Sequence, residues 1–148
     1  MIARAYVSLG SNVGDRVRWL ALARRAVMER DSTRLVACSE VLETDPVDVA
    51  DQARFLNQVL GVDTALEPGE LLGACLEIER DLGRDRSAGP PRGPRTIDLD
   101  LLLYGGRAVD ESGLTVPHPR LAERDFFLEL CLRAGAPEAW LPEPEPTR

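Results

Sequence analysis

Two aspartates stand inside an otherwise apolar run, Thr96-Ile97-Asp98-Leu99-Asp100-Leu101-Leu102-Leu103-Tyr104. As a strand, this run places Asp98 and Asp100 on one face, about 7 Å apart. Carboxylates so placed repel each other, and burial raises the cost. A cation beside them relieves both. Hard oxygen ligands suit Mg²⁺, which commonly completes its shell with water and phosphate oxygens. The alternative is a half-exposed strand with two solvated aspartates, and D-x-D alone does not separate the two. Four arginines, Arg84, Arg86, Arg92 and Arg95, lie just before the pair. The planar guanidinium fork matches phosphate oxygens, so arginines beside paired carboxylates suit a metal–polyphosphate complex. An ordinary charged loop is the plain alternative.

Other polar residues interrupt apolar patterns. Asn57, in Phe55-Leu56-Asn57, shares a strand face with Phe55. Its amide either reads the donor–acceptor edge of a heterocycle or is a satisfied buried polar group. His118 lies between prolines in Val116-Pro117-His118-Pro119, followed by Arg120 and Arg124. Taken alone, such a histidine is more often structural or exposed. Phe126 and Phe127 read as core.

Composition narrows the classes. The chain has 148 residues, enough for one domain and too few for two ordinary ones. A net charge of −7 argues against a general nucleic-acid surface, which needs a broad basic field. All 18 basic residues are arginine, which rules out a Walker lysine and a Schiff-base lysine. Three dispersed cysteines and one histidine nearly exclude a Cys/His zinc site. No run of about 18 apolar residues occurs, so no membrane span is expected. The first residues lack signal-peptide architecture, and a cytoplasmic protein is expected.

The elements that must position these residues follow from periodicity. Residues 2–9 alternate as a strand and end at Gly10-Ser11-Asn12. Asn12 or Asp15 can cap a helix over 15–30, whose stripe is Trp19, Leu22, Ala23 and Ala26. A second strand is expected over 34–43, a loop over 44–54 and a third strand from Phe55 to about Leu66. Glu67-Pro68-Gly69-Glu70 opens a helix with Leu71, Cys75, Ile78 and Leu82 on one stripe, and Gly83 ends it. A second loop spans 84–95. The aspartate strand follows over 96–104, then a short extended excursion over 107–117 and a last helix near 124–134. The order β-α-β-β-α-β with a C-terminal extension is the ferredoxin-like arrangement, an α+β class. One domain over 1–148 is expected, with 142–148 a frayed tail.

The fragments recur in one order. They run Gly10-Ser11-Asn12, Thr44, Phe55-Leu56-Asn57, Ile78-Glu79 and Gly83-Arg84-Asp85-Arg86. Then come Gly93-Pro94-Arg95-Thr96-Ile97-Asp98-Leu99-Asp100, Val116-Pro117-His118-Pro119-Arg120 and Arg124-Asp125-Phe126. From residue 5 to about 133 the chain resembles the 6-hydroxymethyl-7,8-dihydropterin pyrophosphokinase family. The G-P-R-T-I-D-L-D and V-P-H-P-R stretches carry most of the specificity. Phe55 stands where the family often has tyrosine, and Pro91-Arg92 where it often has a basic residue and a bulky aromatic.

The resemblance implies a three-layer α/β/α sandwich that moves pyrophosphate from ATP onto a pterin alcohol, releasing AMP, in folate synthesis. By similarity, Asp98 and Asp100 hold two Mg²⁺ ions. Arg84 and Arg95 serve catalysis at the phosphates. Arg84, Arg86, Arg92, Arg95, His118, Arg124 and Glu79 bind ATP. Thr44, Asp45, Val47, Phe55, Asn57 and Phe126 bind the pterin. ATP and pterin are the implied partners of a monomer, with no nucleic acid and no membrane. No general base stands out.

Overall fold

The computed structural model describes residues 1–45, 53–83 and 97–143. The alternating first segment forms β1 (Ala3–Ser11). It becomes an inner strand because both its faces can be covered. Ala5, Val7 and Leu9 point one way and Tyr6 the other, all at most 1% exposed. Around it form β2 (Thr33–Cys38), β3 (Leu42–Thr44), β4 (Phe55–Thr64) and β5 (Asp98–Tyr104). The sheet order is β2-β4-β1-β5, every pair antiparallel, with β3 also on β4. This is the strand order of the expected ferredoxin-like core.

Two helices cover the first face. α1 (Arg16–Met28) starts at Asp15, whose Oδ1 accepts the Arg18 N–H at 3.2 Å. Asn12, the other candidate cap, instead donates to the Ala53 carbonyl at 3.2 Å and ties the end of β1 to the entry of β4. The buried stripe of α1 is Leu20, Ala23 and Val27. Trp19 and Ala26 sit at its margin, so the face is rotated slightly from the expected one. α2 (Pro68–Asp81) has proline in its first turn, and Glu70 accepts the Glu67 N–H at 2.9 Å. Leu71, Cys75 and Ile78 face the sheet, and Gly83 at φ +92° follows the helix end, where a Cβ would be strained.

The other face carries α3 (Arg120–Glu123), a single turn, and α4 (Asp125–Arg133). Leu121, Phe127, Leu130 and Cys131 pack there on Tyr6, Val59, Leu102 and Leu103. A 3₁₀ turn at Glu138–Trp140 follows, and Trp140 meets Tyr6 edge-on, ring centres 6.3 Å apart. The result is three layers, helices on both faces of one sheet. Among the described residues no helix is long and apolar enough to cross a membrane.

Three local outcomes differ from the sequence reading. The strand expected over 34–43 is two strands. At Ser39 the N–H still donates to the Val59 carbonyl at 2.8 Å, but Val59 N–H donates to the Ser39 hydroxyl at 2.9 Å. The side chain takes the acceptor role of the ladder and the backbone turns away. The excursion over 107–117 is a hairpin, β6 (Val109–Glu111) and β7 (Leu114–Val116), turning at Gly113 with φ +76°. Its Val109, Leu114 and Val116 join the first core. Finally, the β1–β5 register slips by one residue opposite Leu102, which sends both Leu102 and Leu103 to the second face.

Candidate active site

The second face of the sheet is only partly roofed. Antiparallel pairing sets Asn57, Gly10 and Asp98 in one row across β4, β1 and β5. Val59, Ser8 and Asp100 form the next row. One further along, α4 covers Tyr6 and Leu103. Ser8, Gly10, Asn57, Asp98 and Asp100 from these rows instead floor a cleft of about 570 Å³, walled by Thr44, Asp45, Phe55, Arg124, Phe126 and Phe127. Gly10 lies in the middle of that floor. A Cβ there would lie 3.2 Å from Asn57 Oδ1. Thr44 is brought opposite Phe55 by the β3–β4 register, and its hydroxyl accepts from Asn57 Nδ2 at 2.6 Å. That bond fixes the amide, with Oδ1 over Gly10. Phe126 and Phe127 lie with ring centres 4.4 Å apart at the opposite wall.

A second cleft, of about 950 Å³, opens beyond β5 between α2 and the hairpin. Leu72 and Leu76 from α2, Leu114 and Thr115 from β7, and His118 line it. Among the described residues, the two clefts share Asp100 and Arg120.

The aspartates converge as alternation predicts. Arg120 Nη1 is 2.9 Å from Asp100 Oδ2 and 3.7 Å from Asp98 Oδ2. A single positive centre therefore reaches both carboxylates, and their hard oxygens fit Mg²⁺. Among the described residues no group of three or more His, Cys, Asp or Glu gathers as a cage.

The outer edge of β5 is held from two sides. Glu79, 1% exposed on α2, accepts the Leu99 N–H at 2.7 Å. That amide lies between the two aspartates, so Glu79 fixes the backbone carrying them. Glu79 lines neither cleft. Three residues further on, the Leu102 carbonyl accepts the His118 N–H at 2.9 Å. His118 Nδ1 accepts the Arg120 N–H at 3.1 Å, which leaves the proton on Nε2, 3.9 Å from Asp100 Oδ1. Burial, then the Arg120 charge, push its pKa down to about 4 against the opposing pull of Asp98 and Glu123. The ring is therefore neutral near pH 7.

The sequence candidates are thus placed as follows. Thr44, Asp45, Phe55, Asn57 and Phe126 gather around the first cleft, with Asp98 and Asp100. His118 lines the second, whereas Arg124 lines the first, beside Phe126. Val47, Arg84, Arg86, Arg92 and Arg95 lie outside the described residues. Sequence reasoning missed Arg120, Ser8, Gly10, Leu72 and Leu76 as lining residues. Arg120 had a signal, since it closes the V-P-H-P-R stretch. Leu72 and Leu76 had none, because a leucine one step off a helix stripe carries no mark of a ligand.

A ferredoxin-like sheet with two adjoining clefts that meet at Asp100 and Arg120 defines an α+β protein with its candidate site at one end of the sheet. Residues 6–134 match the 7,8-dihydro-6-hydroxymethylpterin-pyrophosphokinase (HPPK) family, and the chain belongs to it. The 2-amino-4-hydroxy-6-hydroxymethyldihydropteridine pyrophosphokinase of Bacillus subtilis (strain 168) is 43% identical over 131 residues, 86% of this chain and 77% of that protein. The protein of the same name from Pseudomonas aeruginosa is 43% identical over 143 residues, 97% of this chain and 86% of that one. In fold, a crystal structure of Plasmodium falciparum HPPK-DHPS superposes with a TM-score of 0.72 at 14% identity, covering 97% of this chain and 43% of the other.

Proposed function

We propose that this chain transfers pyrophosphate from ATP to the hydroxymethyl oxygen of 6-hydroxymethyl-7,8-dihydropterin and releases AMP. The observation that carries the reading is the junction of the two clefts at Asp100 and Arg120. A group passing between a nucleotide in one and an alcohol in the other crosses that point. The first cleft suits the pterin, which needs aromatic faces and an edge-reading amide. Phe55 and Phe126 supply the rings, and Asn57, held by Thr44, supplies the amide. The second cleft, with its aliphatic wall and neutral His118, suits the nucleotide.

The proposed reaction is in-line attack of the hydroxymethyl oxygen on the β-phosphorus, with AMP as leaving group. Little covalent work falls to the protein, so positioning and charge stabilisation carry the rate. Asp98 and Asp100 are the proposed ligands for two Mg²⁺ ions. When bound, the metal neutralises charge developing on the phosphate oxygens. Glu79 acts by fixing the Leu99 amide rather than by touching ATP. Arg84 and Arg95 are the proposed phosphate contacts in catalysis, and Arg86, Arg92 and Arg124 further contacts to ATP. Asp45 and Val47 complete the pterin side.

The test is product analysis from ATP and 6-hydroxymethyl-7,8-dihydropterin, with and without Mg²⁺. AMP that requires both pterin and metal supports the reading. ADP in place of AMP would mean γ-phosphoryl transfer and would sink it.

A further inference from the structure

Arg120 sits where the two clefts meet, its backbone fixed by local hydrogen bonds and its head group paired with the aspartates. The backbone is anchored by the N–H donated to His118 Nδ1 at 3.1 Å and by the carbonyl, which accepts the Arg124 N–H at 3.0 Å. The head group, on a side chain 27% exposed, lies at the two carboxylates. A long stem on a fixed backbone lets the guanidinium turn without disturbing the fold. Its location is also the location a shared cation needs. A guanidinium and a divalent ion cannot both lie between the same oxygens, because they repel and overlap.

We propose that Arg120 has two stations in this enzyme. In one it neutralises the Asp98–Asp100 pair; in the other it has yielded that place to a divalent cation and binds phosphate oxygens of the nucleotide. The inference rests on the reading of Asp98 and Asp100 as the magnesium ligands. Metal arriving alone must displace a cation from its carboxylate partners. Metal arriving with a polyphosphate offers the displaced guanidinium a new partner, and phosphate oxygens are what its fork fits best. Arg120 thus weakens binding of free metal and strengthens binding of metal with nucleotide, which makes each depend on the other. Leaving the aspartates without Arg120 removes one competing cation from the place the metal would take.

The experiment uses Mn²⁺ as probe on the full chain, by calorimetric titration, with and without an ATP analogue bridged by methylene between the α- and β-phosphates. Arg120→Gln is expected to bind Mn²⁺ alone about tenfold tighter than wild type, and the analogue about tenfold weaker. Arg120→Lys, which keeps the charge, should resemble wild type towards Mn²⁺ alone. Arg120→Met repeats the charge removal with an apolar stem. A thermal melt gives a second readout, since Mn²⁺ alone should raise the Tm of Arg120→Gln more than that of wild type. Equal or weaker binding of Mn²⁺ alone by both neutral variants would overturn the two-station role. Wild type that fails to bind Mn²⁺ even with the analogue would overturn the magnesium assignment itself, and that outcome is separate from the first.

Discussion

Along the second face of the sheet, residues two positions apart on the same strand have opposite fates. Tyr6 on β1 and Val59 on β4 are both 0% exposed and lie under α4. Ser8 and Asn57, one step on, are 4% and 6% exposed and floor the cleft with Asp98. Exposure barely differs between the two halves, so burial does not distinguish core from site. What differs is the chemistry of the buried groups and the reach of the roof. The covered half offers carbon to carbon. The open half offers carboxylates and an amide that line a cleft. A desolvated floor of this kind strengthens the charge interactions that phosphate chemistry uses.

Asp98→Ala breaks the open half most severely. Removing one of two carboxylates should lower kcat by about a thousandfold or more, in line with loss of a principal electrostatic contributor. Steady-state AMP release at saturating Mg²⁺ measures it. The Tm should stay within about 2 °C of wild type, since the change also relieves a repulsion. Substantial residual turnover would undo the metal assignment. Leu103→Ala does the converse on the covered half. Its side chain is 1% exposed, and truncation should cost about 2–5 kcal/mol in a urea titration. KM for pterin should be unchanged, and a raised KM with intact stability would show that the halves are not separate.

Smaller changes sharpen the boundary. Asn57→Ala loses the bond to Thr44 and the Oδ1 over Gly10. It should raise KM for pterin about tenfold and leave KM for ATP alone, the signature of a contact to one ligand only. An equal effect on both substrates would place the pterin elsewhere. Gly10→Ala is the mildest. Its Cβ would press on Asn57 Oδ1 at 3.2 Å, and a shift of a few tenths of an ångström should raise KM for pterin a few-fold, about 1 kcal/mol or less. No change at all would mean the floor is looser than these distances require.

The sequence carried the site unevenly. Asp98 and Asp100 were legible as two charges on one face of an apolar strand, but the pattern alone left a cation site and a solvated face open, and the arginines and the family motif were needed to choose. Asn57 and Phe55 were legible as a shared face, and Thr44 only through its place in the family motif. Arg120 was marked only by its place at the end of the V-P-H-P-R stretch, and nothing local set it apart as a cleft residue from seventeen other arginines. Glu79 lay one step from the helix stripe, and nothing local showed that it closes the free edge of β5. The break at Ser39 was equally silent, since a serine hydroxyl replaces a carbonyl only when a partner strand presents an N–H at that height.

Local periodicity, by itself, determined the βαββαβ order of the core, the alternation of β1, the stripe of α2, and the pairing of the two aspartates. These depend on residues within a turn or two of one another, whose geometry is fixed by the backbone. Only the tertiary structure decided which rows of the sheet α4 covers, and so where the cleft lies. It alone set Arg120 against both carboxylates and joined the two clefts at Asp100. Those outcomes depend on registers between strands some ninety residues apart, such as Gly10 with Asp98, and on how far a nine-residue helix reaches across a face. Neither is written in any short stretch of the chain.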